Sequence, residues 1–173
     1  MKNAPHRVHT RCDSPLGRLI LAATHQGLAG VWFDDQKHLP EWAGWPEDAA
    51  HPVLLAAAAQ LQAYFQGQRQ TFDLPLDLSA GTPFQQAVWQ ALLAIPTGGT
   101  TTYGRISQGI GNPKAVRAVG AAVGRNPVGI IVPCHRVLGS DGSLTGYAGG
   151  LARKTALLQL EGITIGSPSG DLF

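Results

Sequence analysis

The sequence predicts a mixed α/β chain of α+β type, with a small N-terminal unit of three antiparallel strands and a helix. A mostly helical C-terminal unit containing a helix-turn-helix follows. Three observations predict it. Residues 8–33 form short β-prone runs broken by turn residues. Two helical segments then end at Gly67 and Pro96. Between residues 103 and 125, two short helices flank Gly111-Asn112-Pro113, the punctuation of a helix-turn-helix. The 173 residues are 44% hydrophobic and 14% charged, enough to bury a substantial core. The 22 glycines and 12 prolines imply many turns, and their lack of a three-residue period excludes collagen.

The elements follow in chain order. Asp13-Ser14-Pro15-Leu16-Gly17 and Gln26-Gly27 supply the turns of the meander, and residues 18–21 and 28–33 its second and third strands. Residues 34–52, rich in Trp, Pro and charge, read as irregular cover. Residues 50–66 place Leu54, Leu55, Ala58, Leu61 and Phe65 at helical spacing, with Gly67 as the stop. Residues 72–81, with Pro75 and few helix formers, read as an extended linker, so the predicted units are 1–77 and 78–173. Thr82 and Pro83 open the next helix as cap and first-turn proline, and Phe84, Val88, Leu92 and Ile95 give its apolar stripe. Residues 103–110 and 114–125 are the paired helices. In the second, Val116, Val119 and Val123 are set toward the core, and Lys114, Arg117, Ala121 and Arg125 face away. Its small residues suit close approach to a nucleic-acid groove, and on this segment alone a packing helix fits as well. Residues 130–132 read as a β-branched strand running into Pro133. A glycine-rich loop at 139–150 then leads into a helix over 151–161 capped at Gly162.

Charge divides unevenly. Residues 1–77 carry six Lys/Arg against eight Asp/Glu, a net of −2; residues 78–173 carry seven against three, a net of +4. Between Leu78 and Ser140 there are Arg105, Lys114, Arg117, Arg125 and Arg136 and no acidic residue, a stretch suited to a polyanion. Cys12 and Cys134 have no neighbouring Cys or His cluster of metal-ligand spacing, which argues against a disulfide scaffold and a structural zinc site. Residues 1–13, with Lys2, His6, Arg7, His9 and Arg11, offer no signal-peptide core. No apolar run approaches the roughly 20 residues that span a bilayer. A cytoplasmic protein with no membrane contact is expected.

The densest chemistry lies at Pro133-Cys134-His135-Arg136-Val137. The thiolate is the nucleophilic form of cysteine, and His135 and Arg136 are both candidates to favour it. On an extended strand Cys134 and His135 would point to opposite sides, so they need a bend at Pro133 or a water to communicate. Glu161, at a helix C-terminus where the dipole disfavours a carboxylate, invites a functional reason such as orienting a histidine.

These residues carry a resemblance. Pro133-Cys134-His135-Arg136-Val137, preceded by Gly111-Asn112-Pro113-Lys114-Ala115-Val116-Arg117-Ala118-Val119-Gly120 and Asn126-Pro127, and followed by Gly146-Tyr147-Ala148-Gly149-Gly150, resembles the O6-alkylguanine-DNA alkyltransferases. The likeness runs from about Thr82 to Gly162, and the N-terminal half looks like the family's ribonuclease-H-like domain by layout.

The resemblance implies direct-reversal DNA repair by a single-turnover methylated-DNA–protein-cysteine methyltransferase without a cofactor. Cys134 would accept the alkyl group from O6-alkylguanine, and O4-alkylthymine is a second substrate the resemblance allows. His135 would act as base through a water, Glu161 would orient His135, and Asn126 would bond backbone near Cys134. Tyr103 would donate to guanine N3. Arg117 would enter the duplex where the damaged base has been flipped out. Val137, Tyr147 and Ala148 would line the base pocket, with backbone at Cys134, Val137 and Ala148 reading the base. Ala148 replaces a serine of some relatives, a change that leaves a backbone contact intact. Asn112, Lys114, Arg125 and Ser140 would touch the DNA. The partner implied is double-stranded DNA containing O6-alkylguanine, met in its minor groove by a monomer. Some relatives carry N-terminal zinc ligands, but Cys12 stands alone among His6, His9 and His25, so no metal is expected. A non-catalytic binder of alkylated DNA is the alternative, opposed by the presence of Cys134. A papain-like hydrolase would require an oxyanion hole and turnover on a peptide or ester.

Overall fold

The computed structural model describes residues 6–165. Lys2 and the outer ends of both predicted units lie outside them.

Three strands, β1 (Val8–Cys12), β2 (Leu19–Thr24) and β3 (Gly27–Phe33), form an antiparallel sheet in that order. Cys12 pairs with Leu19, and Leu19 with Phe33. The period of two divides the sheet's side chains: Leu19, Leu21, Val31 and Phe33 enter the main core, whereas Ile20, Ala22 and Trp32 face Leu39, Trp42 and Trp45 from the following irregular segment. That segment is therefore a lid on the sheet's second face, which explains why β2 is buried along its whole length.

Helix α1 (Pro52–Phe65) packs on the first face. Its buried stripe is Leu54, Ala57, Leu61 and Tyr64. Leu55, expected inside, is 55% exposed, because the helix is rotated to turn Tyr64 inward. The linker then returns to the free edge of β3: Leu28 N–H donates to Pro75 O at 2.8 Å, and Asp77 N–H to Leu28 O at 2.8 Å. The approach requires glycine at 27, where φ is +151° and a Cβ would lie 2.6 Å from Pro75 O.

Helix α2 (Pro83–Leu93) starts in a capping box in which Thr82 Oγ1 accepts from Gln85 N–H and Gln85 Oε1 accepts from Thr82 N–H. A two-residue strand, β4 (Thr101–Thr102), leads directly into α3 (Tyr103–Gly109). Gly111, at φ +78°, turns the chain toward α4 (Val116–Gly124). Trp89 Nε1–H donates to Ala122 O at 2.8 Å and pins α4 to α2. Val119 and Val123 are buried as expected. Val116 is 41% exposed, because α4 begins two residues later than the pattern suggested and Val116 stands at its open first turn.

Residues 130–132 are not a strand. Pro127 and Gly129 take the remaining edge of β3, through Val31 N–H to Pro127 O and Gly129 N–H to Val31 O. After that the hydrogen bonds turn local, Ile131 to Gly129 and Val132 to Val128, and Ile130 adopts φ +70°. The β-branched run is apolar because it is an internal turn, with Ile130 and Val132 fully buried. A 3-10 turn over Cys134–Arg136 follows, then β5 (Val137–Leu138) and, after the glycine-rich loop, α5 (Leu151–Leu160). Among the described residues no helix is long and apolar enough to cross a membrane.

Candidate active site

Three local arrangements assemble the site. Asn126 closes the turn before the cysteine: its Nδ2 donates to Val132 O at 2.8 Å and its Oδ1 accepts from Val128 N–H at 3.0 Å. The 3-10 turn supplies the bend that an extended strand lacks, so Cys134 and His135 are both buried inward. β4 pairs in parallel with β5, Thr101 with Val137 and Thr102 with Leu138, and this brings Tyr103 alongside the cysteine turn.

His135 is fully buried, and its Nε2 lies 2.7 Å from Glu161 Oε2. Donation of Nε2–H to the carboxylate leaves Nδ1 as the basic nitrogen, and Nδ1 has no hydrogen-bond partner among the described residues. Glu161 also receives Arg136 Nε–H at 2.7 Å on Oε1, Arg136 Nη2–H at 3.1 Å on Oε2, and the Tyr64 hydroxyl at 2.5 Å on Oε2. Its side chain is 1% exposed. Burial alone would raise its carboxyl, but the bonds from His135, Arg136 and Tyr64 outweigh burial and hold it at about 2. Burial lowers His135 more than Glu161 raises it, so the imidazole rests neutral. The unfavourable charge at the end of α5 is thus answered by four hydrogen bonds.

The thiol of Cys134 is pushed up by burial, against the Asn126 side chain and the charge of Lys154. The resting group is a neutral thiol, a form that becomes nucleophilic only when a base takes its proton. Arg136 is not its activating cation. That guanidinium is turned to Glu161, to Ile95 O at 2.7 Å and toward Thr97. The cation that opposes the thiol's shift is Lys154, a residue the sequence pattern did not single out. Lys154 is 0% exposed, and its Nζ donates to Val137 O at 2.6 Å, Thr145 O at 2.8 Å and Gly146 O at 3.1 Å. Burial brings its ammonium down to about 8, with Cys134 acting the other way. The only sequence signal for it was a lysine inside an apolar helical stripe beside Leu157 and Leu158.

Tyr103 OH donates to Thr145 O at 3.2 Å, the same carbonyl that Lys154 holds. Tyr147, half-buried, has its hydroxyl pushed up by burial and then by Cys134. Val137 is buried on β5, and Ala148 O accepts from Lys37 N–H at 3.0 Å, so the N-terminal unit touches this loop. Arg153 reinforces that contact with bonds to Leu16 O, Gly149 O and Asp35. Cys134, His135, Glu161, Asn126, Tyr103, Val137 and Tyr147 therefore belong to one cluster.

A second group stays outside. Asn112, Lys114, Arg117, Ala118, Ala121 and Arg125 are exposed along the turn and α4. Gly120, on that helix, lies 3.9 Å from the Tyr103 ring measured at an added Cβ, so the cationic helix borders the wall of the site. Ser140 sits apart on the exposed turn after β5. The arrangement can deprotonate a buried thiol beside a surface that attracts a polyanion.

Residues 8–78 match a family model described as 6-O-methylguanine DNA methyltransferase, ribonuclease-like domain, and residues 83–163 match its DNA binding domain. A methylated-DNA–protein-cysteine methyltransferase of Mycobacterium leprae is 52% identical over 156 residues, 89% of this chain and 92% of the relative. One of Methanosarcina acetivorans is 50% identical over 151 residues, 87% of this chain and 95% of the relative. The crystal structure of Mycobacterium tuberculosis OGT in complex with DNA matches with a TM-score of 0.84 and 49% identity, covering 90% of this chain and 93% of that one.

Proposed function

The chain belongs to the 6-O-methylguanine DNA methyltransferase family, and from that membership we propose that it repairs alkylated duplex DNA by moving the alkyl group from O6 of guanine to Cys134. The observation that carries this reading is the buried thiol next to a neutral imidazole whose Nε2–H is held by Glu161. His135 Nδ1 takes the thiol proton, directly or through one water. The Sγ lone pair then forms a bond to the alkyl carbon as the carbon–O6 bond breaks, and its electrons pass to the departing guanine. Tyr103 donates to N3 of that guanine, once it gives up Thr145 O, and so lowers the cost of the developing negative charge. Lys154 holds the carbonyls of Val137, Thr145 and Gly146, and with them the walls of the pocket formed with Tyr147 and Ala148.

In the same reading residues 1–77 are the ribonuclease-H-like unit, and residues 78–173 carry the acceptor and the DNA contacts. Arg117 enters the minor groove in place of the extruded base, and Asn112, Lys114, Arg125 and Ser140 support the backbone without reading sequence. A thioether resists water, so each molecule acts once, as a monomer in the cytoplasm. O6-alkylguanine is the substrate of this reading.

The test is intact-mass measurement after incubation with duplex DNA containing O6-methylguanine. The protein gains one CH2, and Cys134→Ser does not. A gain that persists in Cys134→Ser, or binding with no gain in the unaltered chain, sinks the reading; the latter result makes the protein a lesion binder.

A further inference from the structure

Tyr64 is the last residue of the buried stripe of α1, and no step above uses it. Its ring lies against Phe65 and Phe72, with centroids 5.4 Å away in each case. Its hydroxyl leaves that apolar wedge to reach Glu161, 97 positions on, at Oε2. Oε2 is also the oxygen that holds His135 Nε2–H. A tyrosine that only filled space would be equivalent to phenylalanine. One that shares an acceptor with the imidazole competes with it for the same negative charge.

Resting on the reading of Cys134 as acceptor and His135 as its base, we propose that Tyr64 is a positioning residue for alkyl transfer. Its hydroxyl anchors Glu161 Oε2 and limits the charge that His135 feels, so the imidazole stays neutral with Nδ1 available for the thiol proton.

The groups facing His135 define the balance. Glu161 at the end of α5 favours the imidazolium; Arg136 on the same turn and Lys154 from α5 disfavour it, as does burial; Cys134 is the adjoining group on the turn. A carboxylate with fewer donors would pull harder on Nε2–H and make His135 more basic. Tyr64 is a constant donor, because burial and then the charge of Glu161 push its own ionisation far up. The N-terminal unit thereby sets the protonation of a base carried by the C-terminal one.

The experiment measures single-turnover methyl transfer to the full chain against pH, together with the side-chain 1H–15N resonances of His135. The proteins are the unaltered chain, Tyr64→Phe and Phe72→Leu. In Tyr64→Phe the acid limb of the profile moves up by about half a pH unit or more, an approximately threefold lower rate on that limb. The His135 Hε2 resonance moves downfield as its bond to Glu161 strengthens. Phe72→Leu loosens the same wedge without touching Glu161 and leaves both readouts in place.

A Tyr64→Phe limb and resonance that coincide with those of the unaltered chain overturn the proposal, and so does an equal shift in Phe72→Leu, which would be a packing effect. If Tyr64→Phe loses its cooperative thermal transition, 3-fluorotyrosine at position 64 keeps the ring and gives a stronger donor. The limb then moves down, and an unmoved limb overturns the proposal. Failure of the unaltered chain to transfer methyl overturns the proposed function itself; transfer that is insensitive to Tyr64 overturns only this role.

Discussion

Glu161 gathers four hydrogen bonds on two oxygens while almost wholly buried. A buried charge is tolerated only when it is paired and hydrogen-bonded, so removing the charge exposes how the pairing is linked to folding. The folded carboxyl, at about 2, lies below its ordinary value of 4.5. The stabilisation is therefore complete above about pH 4.5 and is lost as pH falls through about 2, amounting to a few kcal/mol. In Glu161→Gln this acid-dependent loss disappears over that window, as urea titrations at stepped pH will register; an unchanged slope would remove Glu161 from the linkage. Cys134, His135 and Glu161 could be singled out in the sequence because a thiol between Pro, His and Arg, and a carboxylate at a helix C-terminus, are locally odd. Tyr64 gave no such sign, and Lys154 only that of a lysine within an apolar stripe. The polar atom of each finds its partners far along the chain or in a loop whose path the local pattern does not fix.

The helix-turn-helix presents Lys114, Arg117 and Arg125 on its exposed side and buries Val119, Ala122 and Val123. Its turn depends on Gly111 at φ +78°, where an added Cβ would meet open space. Gly111→Ala therefore carries only a backbone penalty, about 1 kcal/mol, readable as a lower urea midpoint with an unchanged slope. A larger loss would mean that the turn has a packing role as well. On the same element Arg117→Ala slows transfer on duplex DNA more than on a short single strand; equal slowing on both would exclude Arg117 from base extrusion. Cap and breaker residues marked these elements well, since Thr82-Pro83 and Gly111 act through local backbone chemistry. The β-branched run at 130–132 misled because burial, rather than strand pairing, selects those side chains. Leu55 misled because helical spacing gives a stripe without giving the rotation of the helix, and Val116 because that spacing does not give the residue at which the helix begins.

Across the molecule one apolar cluster includes sheet residues such as Leu21 and Val31, α1 residues such as Leu61, and Val88, Val119 and Cys134 from the later chain. The free edge of β3 holds both the linker at Leu76 and the segment before the cysteine at Val128. Asp35 and Arg153 add an ion pair between the halves at 2.7 Å. With the interior shared in this way, thermal unfolding is expected to be a single transition, with far-UV circular dichroism and tryptophan fluorescence coincident. Two separated transitions would mean that the halves fold independently.

The sequence by itself determined the three-strand meander and the order of the five helices, the caps and turns at Thr82-Pro83 and Gly111, the acid-free stretch and the unusual Pro133-Cys134-His135-Arg136 run, because each is written in residues a few positions apart. Only the tertiary structure decided that Arg136 serves Glu161 rather than the thiol, that Lys154 is the cation opposing the thiol's shift, and that Tyr64 from the first half reaches the carboxylate of the second. Those choices depend on how β3 and α1 dock against the cysteine turn. That docking follows from burying a common core, which no local periodicity encodes.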